Sequence, residues 1–149
     1  MFKKMKSALK NEKGLTLIEL LAVVVILGII AAIAVPSIGG LIDNTKKDAH
    51  VANATQMINS AKTYVAGNAN SSKLDTQLTL KEMIEDGYID TMEDPDGGNY
   101  NDTYSFVDIA KNGNSYTYKV TLSNGDAKRK ITARTLEQLD RDTVGGGTP

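Results

Sequence analysis

The sequence predicts an α+β fold in which a long N-terminal α-helix packs against a small antiparallel β-sheet. Three observations carry this prediction. An apolar run begins at Leu15, a helical pattern of apolar residues continues to Gly67, and residues 104–134 alternate apolar and polar positions between turn signals. The chain has 149 residues, enough for one domain. Because the apolar run takes up part of the apolar content, we expect a small soluble core.

Composition excludes several kinds of functional site. The chain has no cysteine, which excludes disulfides, thiol catalysis and cysteine-ligated metal sites. It has one histidine and no tryptophan, so we do not expect the familiar catalytic triads or histidine-ligated metal sites within a single chain. We therefore predict that the protein is not an enzyme.

Charge is distributed unevenly along the chain. The first 14 residues contain five lysines and one acidic residue, Glu12, whereas residues 15–149 carry 12 basic and 17 acidic residues. The lysines precede the apolar run. By the rule that positive flanks stay inside, the amino end is cytoplasmic and everything after Ile42 lies outside the cytoplasmic membrane.

The apolar run is long enough to cross a bilayer. As a helix, Leu15–Val35 would be about 31 Å long at ~1.5 Å per residue. From Leu15 to Ile42 the only charged side chain is Glu19. A carboxylate at membrane depth costs roughly 2.5 to 3.5 kcal/mol, and such residues usually mark function. Glu19 therefore needs an explanation.

Two ordinary interpretations leave Glu19 without a purpose. A secretory signal has a basic start, an apolar core and a small-residue cleavage site, here Ala32–Ala34. Cleavage after Ala34 would place Pro36 at the second mature position, and the apolar stretch from Leu20 is long for a signal core. A plain single-span anchor is the other interpretation, and it needs no glutamate either.

Residues 14–19, Gly-Leu-Thr-Leu-Ile-Glu, resemble the cleavage and methylation motif of type IV prepilins and the related pseudopilins. As in that family, a basic leader ends in glycine and is followed by an apolar residue and Thr-Leu-Ile-Glu. The likeness extends over Gly28 and Pro36 and covers residues 1 to about 65. The residue after the glycine is usually Phe in the family, and here it is Leu15. The resemblance implies the type IV pilin fold.

The resemblance also implies roles for residues of the motif. A prepilin peptidase would remove the leader, residues 1–14, by cleaving after Gly14, and the new amine on Leu15 would be methylated. Glu19, together with Thr16, would serve subunit assembly by pairing with the amino terminus of a neighbouring subunit. Its carboxylate lies in the first turns of the mature helix, where the helix dipole favours negative charge. Because desolvation offsets the attraction, we assign Glu19 chiefly to fixing subunit register.

Two residues are expected to weaken the membrane helix, residues 15–36. Gly28 lowers local helix stability by about 1 kcal/mol relative to alanine. Pro36 removes a backbone donor and clashes with the preceding turn. Membrane helices often tolerate both residue types. Given the family pattern, we predict that the stretch bends or loses helical order in the filament.

The helix is predicted to continue as an amphipathic spine, residues 37–66. An apolar stripe at three- and four-residue spacing should pack under the head, and it consists of Val51, Ala54, Ile58, Ala61 and Val65. The opposite side should face solvent or other subunits, and it carries Lys46, Lys47, Asn53, Asn59 and Lys62. His50 lies beside the stripe and is expected to be a structural or subunit-contact residue rather than a ligand. Gly67 is expected to end the helix.

The head, residues 67–149, begins with a polar loop up to Asp75. Thr79 and Glu82 form a predicted capping box for a short helix at 79–86, closed by Gly87. The acidic stretch 90–103 follows. We expect no cofactor, but Ca²⁺ is a weak alternative because some pseudopilins hold calcium in their heads, and the candidate ligands are Asp94, Asp96 and Asp102. The spacing fails the EF-hand rule, so we favour a solvated turn.

A β-meander is predicted at 104–134. Its strands are Tyr104–Ile109, Ser115–Leu122 and Ala127–Arg134, joined by turns centred on Asn112-Gly113 and Asn124-Gly125. In the second strand, alternation places four apolar residues on one face, namely Tyr116, Tyr118, Val120 and Leu122. A last helical turn at Thr135–Gln138 and a flexible tail from Gly145 to Pro149 complete the chain.

The predicted third strand carries a basic cluster of Lys128, Arg129, Lys130 and Arg134. This cluster fits contact with DNA or an anionic surface, as filaments of this family sometimes make. We favour two other roles, a strand edge protected by charge or pairing with the acidic loop of the next subunit.

The resemblance implies a structural subunit of a type IV pilus. It would be a single-pass precursor in the cytoplasmic membrane and then part of a homo-oligomeric surface filament serving motility, adhesion or DNA uptake. The implied partners are a prepilin peptidase, an assembly ATPase and a platform protein. The alternative is a pseudopilin of a type II secretion or competence apparatus. A membrane-tethered binding domain or hydrolase is a third class, but the sequence offers it no nucleophile and base.

Overall fold

A computed structural model of the chain describes residues 2–68, 74, 76–125 and 129–145, and it describes side chains from Thr16 onward within these ranges. The elements follow in the order α1 (Phe2–Gly67), β1 (Gln77–Thr79), α2 (Leu80–Glu85), β2 (Phe106–Asn112), β3 (Ser115–Leu122) and β4 (Ile131–Arg134), with 3₁₀ turns at Leu136–Gln138 and Arg141–Thr143. The long helix and the four-stranded antiparallel sheet confirm the predicted α+β class. The chain divides into two compact units, Met1–Ile42 and Asp43–Pro149.

The first unit is α-helical throughout its described residues and includes Pro36 inside the helix. Proline removes one backbone donor from an α-helix, yet α1 continues past this position. The predicted weakening at Gly28 and Pro36 concerns the assembled filament and stays a prediction.

The core of the second unit is built on the predicted apolar stripe of α1. Ala54, Ile58, Ala61 and Val65 are buried, which confirms the helical periodicity of the stripe, and Val51 is half-buried. Met57 and Tyr64 are also buried on this face, which makes it wider than the pattern indicated. The stripe packs in one cluster with sheet residues, namely Val107, Ile109, Val120, Leu122 and Ile131.

Helix α2 begins with the predicted capping box. The hydroxyl of Thr79 accepts a hydrogen bond from the backbone N–H of Glu82, and the Glu82 carboxylate accepts one from the backbone N–H of Thr79 at 3.0 Å. Leu80 and Met83 point into the core. Gly87 follows the C-cap with φ +75°, a conformation that favours glycine.

The sheet has the order β1-β2-β3-β4, and every pairing is antiparallel. Strand β3 has the predicted bounds, and the predicted shared face is confirmed because Val120 and Leu122 are buried and Tyr116 and Tyr118 half-buried. Strand β2 begins two residues later than predicted, at Phe106. Strand β1 was not predicted, and the sheet has four strands where three were predicted.

The predicted turn centres are wrong. Asn112 pairs with Ser115, so the two-residue loop of the β2–β3 hairpin is Gly113-Asn114, with Gly113 at φ +62°. This is the position at which a type II′ turn requires glycine. Leu122 pairs with Ile131, so residues 123–130 form a longer connection instead of a tight turn around Asn124-Gly125. Residues 126–128 lie outside the described part.

The C-terminal segment of the second unit is held by contacts within that unit as far as Gly145. The predicted turn after Thr135 is present as a 3₁₀ turn. Gly145, which was expected to start a flexible tail, exchanges two backbone hydrogen bonds with Lys130 at 2.7 and 3.0 Å. The remainder of that predicted tail, residues 146–149, and most of the predicted polar loop, residues 69–73 and 75, lie outside the described residues.

An ion pair also joins this segment to α1. Arg141 donates hydrogen bonds to both oxygens of Asp48, one of them at 2.6 Å from Nη2. The hydrogen bond from Arg141 holds the pKa of Asp48 below its usual range.

Candidate functional site

The residues implied in processing and assembly follow one another along α1. Gly14 and Leu15 lie within the helix, and Glu19 lies four positions after Leu15, about one helical turn along the same face. The carboxylate of Glu19 is exposed. A new amine on Leu15 would therefore be created next to an accessible negative charge.

The apolar side chains of the first unit are not covered by the rest of the unit. Leu17 is 68% and Ile33 is 72% exposed, and the other large apolar residues up to Ile42 are exposed in the same way. The helix Thr16–Gly67 contains a stretch long and apolar enough to cross a membrane, as judged by length and composition, and none of that stretch is buried. Such a surface needs lipid or protein around it, because contiguous exposed apolar patches are unfavourable in water. It is consistent with a membrane anchor.

A second group of ionisable side chains surrounds His50 in the second unit. His50 lies on α1, and its side chain is 1% exposed. Its Nε2 is 3.2 Å from Oδ2 of Asp96 and 3.7 Å from Oδ1 of Asp94. Its Nδ1 is 2.7 Å from the hydroxyl oxygen of Tyr100. The ring therefore has two carboxylates on one side and a phenol on the other.

The carboxylates come from a tight acidic loop, residues 93–99. Glu93 bridges Asn99, and the backbone N–H of Asp94 donates to the carbonyl of Gly98 at 2.8 Å. Gly97 and Gly98 have φ angles of +103° and +83°, so glycine is needed for the chain to reverse here. This reversal points Asp94 and Asp96 toward α1.

Asp94 is fully buried and held by neutral donors. Its side chain is 0% exposed. Oδ1 accepts a hydrogen bond from the backbone N–H of Asp96 at 2.7 Å, and Oδ2 accepts one from the side-chain amide of Asn124 at 2.7 Å. Asn124 also donates to the carbonyl of Gly97 at 3.2 Å. The amide of Asn124 thus connects the β3–β4 connection to the acidic loop.

Asp96 is the centre of an ion-pair network. Its Oδ1 pairs with Nη1 of Arg129 and lies 3.3 Å from Nζ of Lys46. Nη2 of Arg129 pairs with Asp43, which is also 3.1 Å from Lys47. Burial opposes ionisation of Asp96, but hydrogen bonds from His50 and Lys46 and the charge of Arg129 outweigh it. The pKa of Asp96 is therefore lower than its ordinary value.

Tyr100 supports the far side of the imidazole. Its hydroxyl oxygen accepts a hydrogen bond from the side-chain amide of Asn53 at 3.2 Å, and its ring packs edge-on against His50 with centroids 5.7 Å apart. Burial raises the pKa of Tyr100 far above neutrality, so the phenol stays protonated at physiological pH. It can donate to Nδ1 of His50 or accept from it.

The structure corrects several expectations about these residues. The acidic stretch is not a solvated turn throughout, because Asp94 is buried against α1. Of the three weak metal candidates, Asp94 and Asp96 converge, whereas Asp102 is exposed and its backbone carbonyl accepts from Lys81 instead. His50 is buried within its own chain, which agrees with the structural role that was one of its two predicted roles.

The basic cluster is also arranged differently from the prediction. Arg129 is buried and pairs with the acidic loop of its own chain, whereas the prediction was pairing with the loop of the next subunit. Lys130 and Arg134 are exposed, and Lys128 lies outside the described residues. Lys46 and Asn53, expected to face solvent or subunits, contact the acidic loop. Asn124 was missed as a partner of this loop, because no local pattern links it to Asp94, 30 positions earlier.

Comparison with known families identifies the N-terminal segment. Residues 9–35 match the family described as the prokaryotic N-terminal methylation motif. The match includes Gly14, Glu19 and Gly28 and ends just before Pro36. No significant match to the chain was found among curated proteins or among solved structures. Residues 9–35 are therefore a prokaryotic N-terminal methylation motif, which is characteristic of type IV pilins and pseudopilins and supports a precursor of one of these two kinds.

Proposed function

We propose that the chain is the structural subunit of a type IV pilus. It is made as a membrane-held precursor, cleaved after Gly14, methylated on the amine of Leu15 and polymerised into a helical filament on the cell surface. The observation that carries this proposal is the uncovered apolar helix, Leu17 to Ile42, most of which lies within the methylation motif. In the membrane, lipid covers this helix, and in the filament the same surface is covered by the helices of neighbouring subunits.

Cleavage changes the charge at the start of the helix. It removes the leader with its five lysines and creates an amine on Leu15, one turn from Glu19. In the filament, Glu19 pairs with the amine of a neighbouring subunit, and registers that leave this carboxylate unpaired are penalised by its desolvation. Glu19, with the adjacent Thr16, therefore selects one packing of the helices.

The removal of the subunit from the membrane requires outside energy. A helix of this length and composition inserts in a way that is effectively irreversible without work. The proposal therefore includes an assembly ATPase and a platform protein as partners, besides the prepilin peptidase. Gly28 and Pro36 give the helix a weak stretch at which it bends or loses helical order when neighbours pack around it.

Substitution of Glu19 tests this assembly mechanism. We expect Glu19→Val to be cleaved and methylated normally but to yield few filaments, because the charge that pairs with the neighbouring amine is gone. Glu19→Asp is the matched control, since it keeps the charge, and it should retain most of the assembly. The measurement is the amount of chain in the sheared-filament fraction relative to mature chain in the membrane. Wild-type filament yield from Glu19→Val would refute the pairing role.

Filament length separates the pilus from the alternative, a pseudopilin of a type II secretion or competence apparatus. The same N-terminal segment would serve both. Electron microscopy of sheared cell-surface material, labelled with antibody against the head, should show long filaments containing this chain. If labelled filaments never extend beyond the envelope, the chain is a pseudopilin.

A further inference from the structure

Three potential metal ligands converge around the imidazole of His50. They belong to His50, Asp94 and Asp96, and one ligand atom from each residue lies within 4.8 Å of the other two. Nε2 is 3.2 Å from the Asp96 oxygen and 3.7 Å from the Asp94 oxygen. Zinc binds nitrogen and oxygen ligands at about 2.0–2.2 Å in a tetrahedron, which places neighbouring ligand atoms about 3.3–3.6 Å apart. The two separations from Nε2 lie just below and just above this range.

The charge on Asp94 points to a cation between these atoms. The carboxylate is 0% exposed, and the hydrogen-bond donors found for it among the described residues, Asn124 and the backbone of Asp96, are neutral. Within the described part of the chain, its ion-pair contact is with His50 at 3.7 Å, which is too long for a hydrogen bond. A buried carboxylate is costly without a compensating cation.

The cations already in the network leave the ligand atoms available. Arg129 and Lys46 both approach Oδ1 of Asp96, whereas Oδ2 faces His50. The side chain of Asp96 is 14% exposed, so the cluster touches solvent on this side. Because Arg129 and Lys46 reduce the negative charge on Asp96, the site is expected to be weaker than a closed structural zinc site.

The groups behind the ligands hold them in place. Nδ1 of His50 is 2.7 Å from the Tyr100 hydroxyl, and Oδ2 of Asp94 accepts from Asn124 at 2.7 Å. Hydrogen bonds of this kind to the far atoms of metal ligands fix the orientation of the ligands and strengthen binding. In this chain they are supplied by Tyr100, which follows the acidic loop, and by Asn124 of the β3–β4 connection.

We propose that His50, Asp94 and Asp96 form a binding site for a divalent transition cation of the zinc class. The mixed nitrogen and carboxylate donors favour such a cation over Ca²⁺, which takes six to eight oxygen ligands. With the cation on Nε2, the imidazole proton lies on Nδ1 and is donated to the Tyr100 hydroxyl oxygen. The site would tie α1 to the acidic loop in a chain that has no cysteine for a disulfide. The observations that support this site all lie in the second unit, and the proposal does not rest on filament assembly.

A titration of the full chain in detergent tests the proposal, using protein without a histidine tag. His50 is the only histidine, so its imidazole ¹⁵N signals are unambiguous. Zn²⁺ should saturate at one ion per chain, shift the Nε2 signal and leave the ring proton on Nδ1. Ca²⁺ at the same concentrations should leave both ring signals in place. An imidazole that does not respond to Zn²⁺, or that responds equally to Ca²⁺, overturns the proposal.

Variants locate the ion. His50→Gln and Asp94→Asn should each weaken Zn²⁺ binding at least ~10-fold, measured by calorimetry, whereas Asp102→Asn, an exposed acid of the same stretch, should leave it unchanged. Circular dichroism checks that each variant keeps its fold. Zn²⁺ binding of wild-type strength in a folded His50→Gln or Asp94→Asn chain contradicts the assignment. If either variant fails to fold, the imidazole signals of the wild-type chain decide the question alone.

Discussion

Arg129 is a buried cation shared between two carboxylates, Asp43 on α1 and Asp96 on the acidic loop. Burying a guanidinium costs desolvation energy, which the two pairings offset. Removal of such a residue is destabilising, because it leaves the carboxylates with less compensating charge. Without Arg129, a largely buried Asp96 would keep its ion pair with Lys46 but lose its contact with the guanidinium.

We predict that Arg129→Leu lowers the free energy of unfolding by about 3 kcal/mol, as expected when one partner of a buried ion pair is removed. Arg134→Leu is the matched control, because Arg134 is exposed on β4, and it should change the free energy by no more than about 0.5 kcal/mol. The chain has six tyrosines and no tryptophan, so tyrosine fluorescence during urea unfolding in detergent reports on the head. Equal stability of the two variants would show that the network contributes nothing.

The contacts within this network could not be predicted from the sequence. The apolar stripe of α1 was predicted because its signal is local and repeats every three or four residues. The contact of His50 with Asp94 joins positions 44 apart in the sequence, and no local pattern encodes that pairing. The lone histidine therefore looked unable to join a ligand set, although its partners are carboxylates.

The hairpin between β2 and β3 shows that strand pairing, as well as the turn propensity of Asn-Gly, determines the position of a loop. Asn-Gly predicted the hairpin correctly but placed its loop one residue too early, because Asn112 is in the strand and Gly113 takes the first loop position. Strand β1 was missed because three residues are too few to show an alternating pattern. At the irregular pairing of β3 with β4, Ala133 has φ +49°, a left-handed conformation that a non-glycine residue rarely adopts.

Two reciprocal substitutions test this backbone account. Gly113→Ala should destabilise the head by about 1 kcal/mol, since a side chain at φ +62° is strained even where nothing crowds it. Ala133→Gly should leave the stability unchanged or raise it, because glycine adopts the same region without strain. Urea unfolding of both variants is the measurement. The account is wrong if Gly113→Ala is neutral and Ala133→Gly is destabilising by a similar amount.

At the scale of the whole molecule, the two units differ in how far local sequence patterns predict their structure. The first unit is one helix, so its periodicity, its apolar length and its motif are all local and were readable from the sequence. The second unit depends on long-range contacts, and there the sequence predicted α2, β3 and the apolar stripe but not the network around His50. The uncovered apolar surface of the first unit is the basis of our proposal that the chain assembles with other copies after processing.

Mass spectrometry of the mature amino terminus tests the proposed processing most directly. The chain should be purified from cells that contain a prepilin peptidase, with a peptidase-deficient strain as the control that retains residues 1–14. The account predicts a mature chain that begins at Leu15 and carries one added methyl group on its amine. A chain that begins at Val35, as an ordinary secretory signal would leave it, or one that keeps its leader in both strains, would contradict the account.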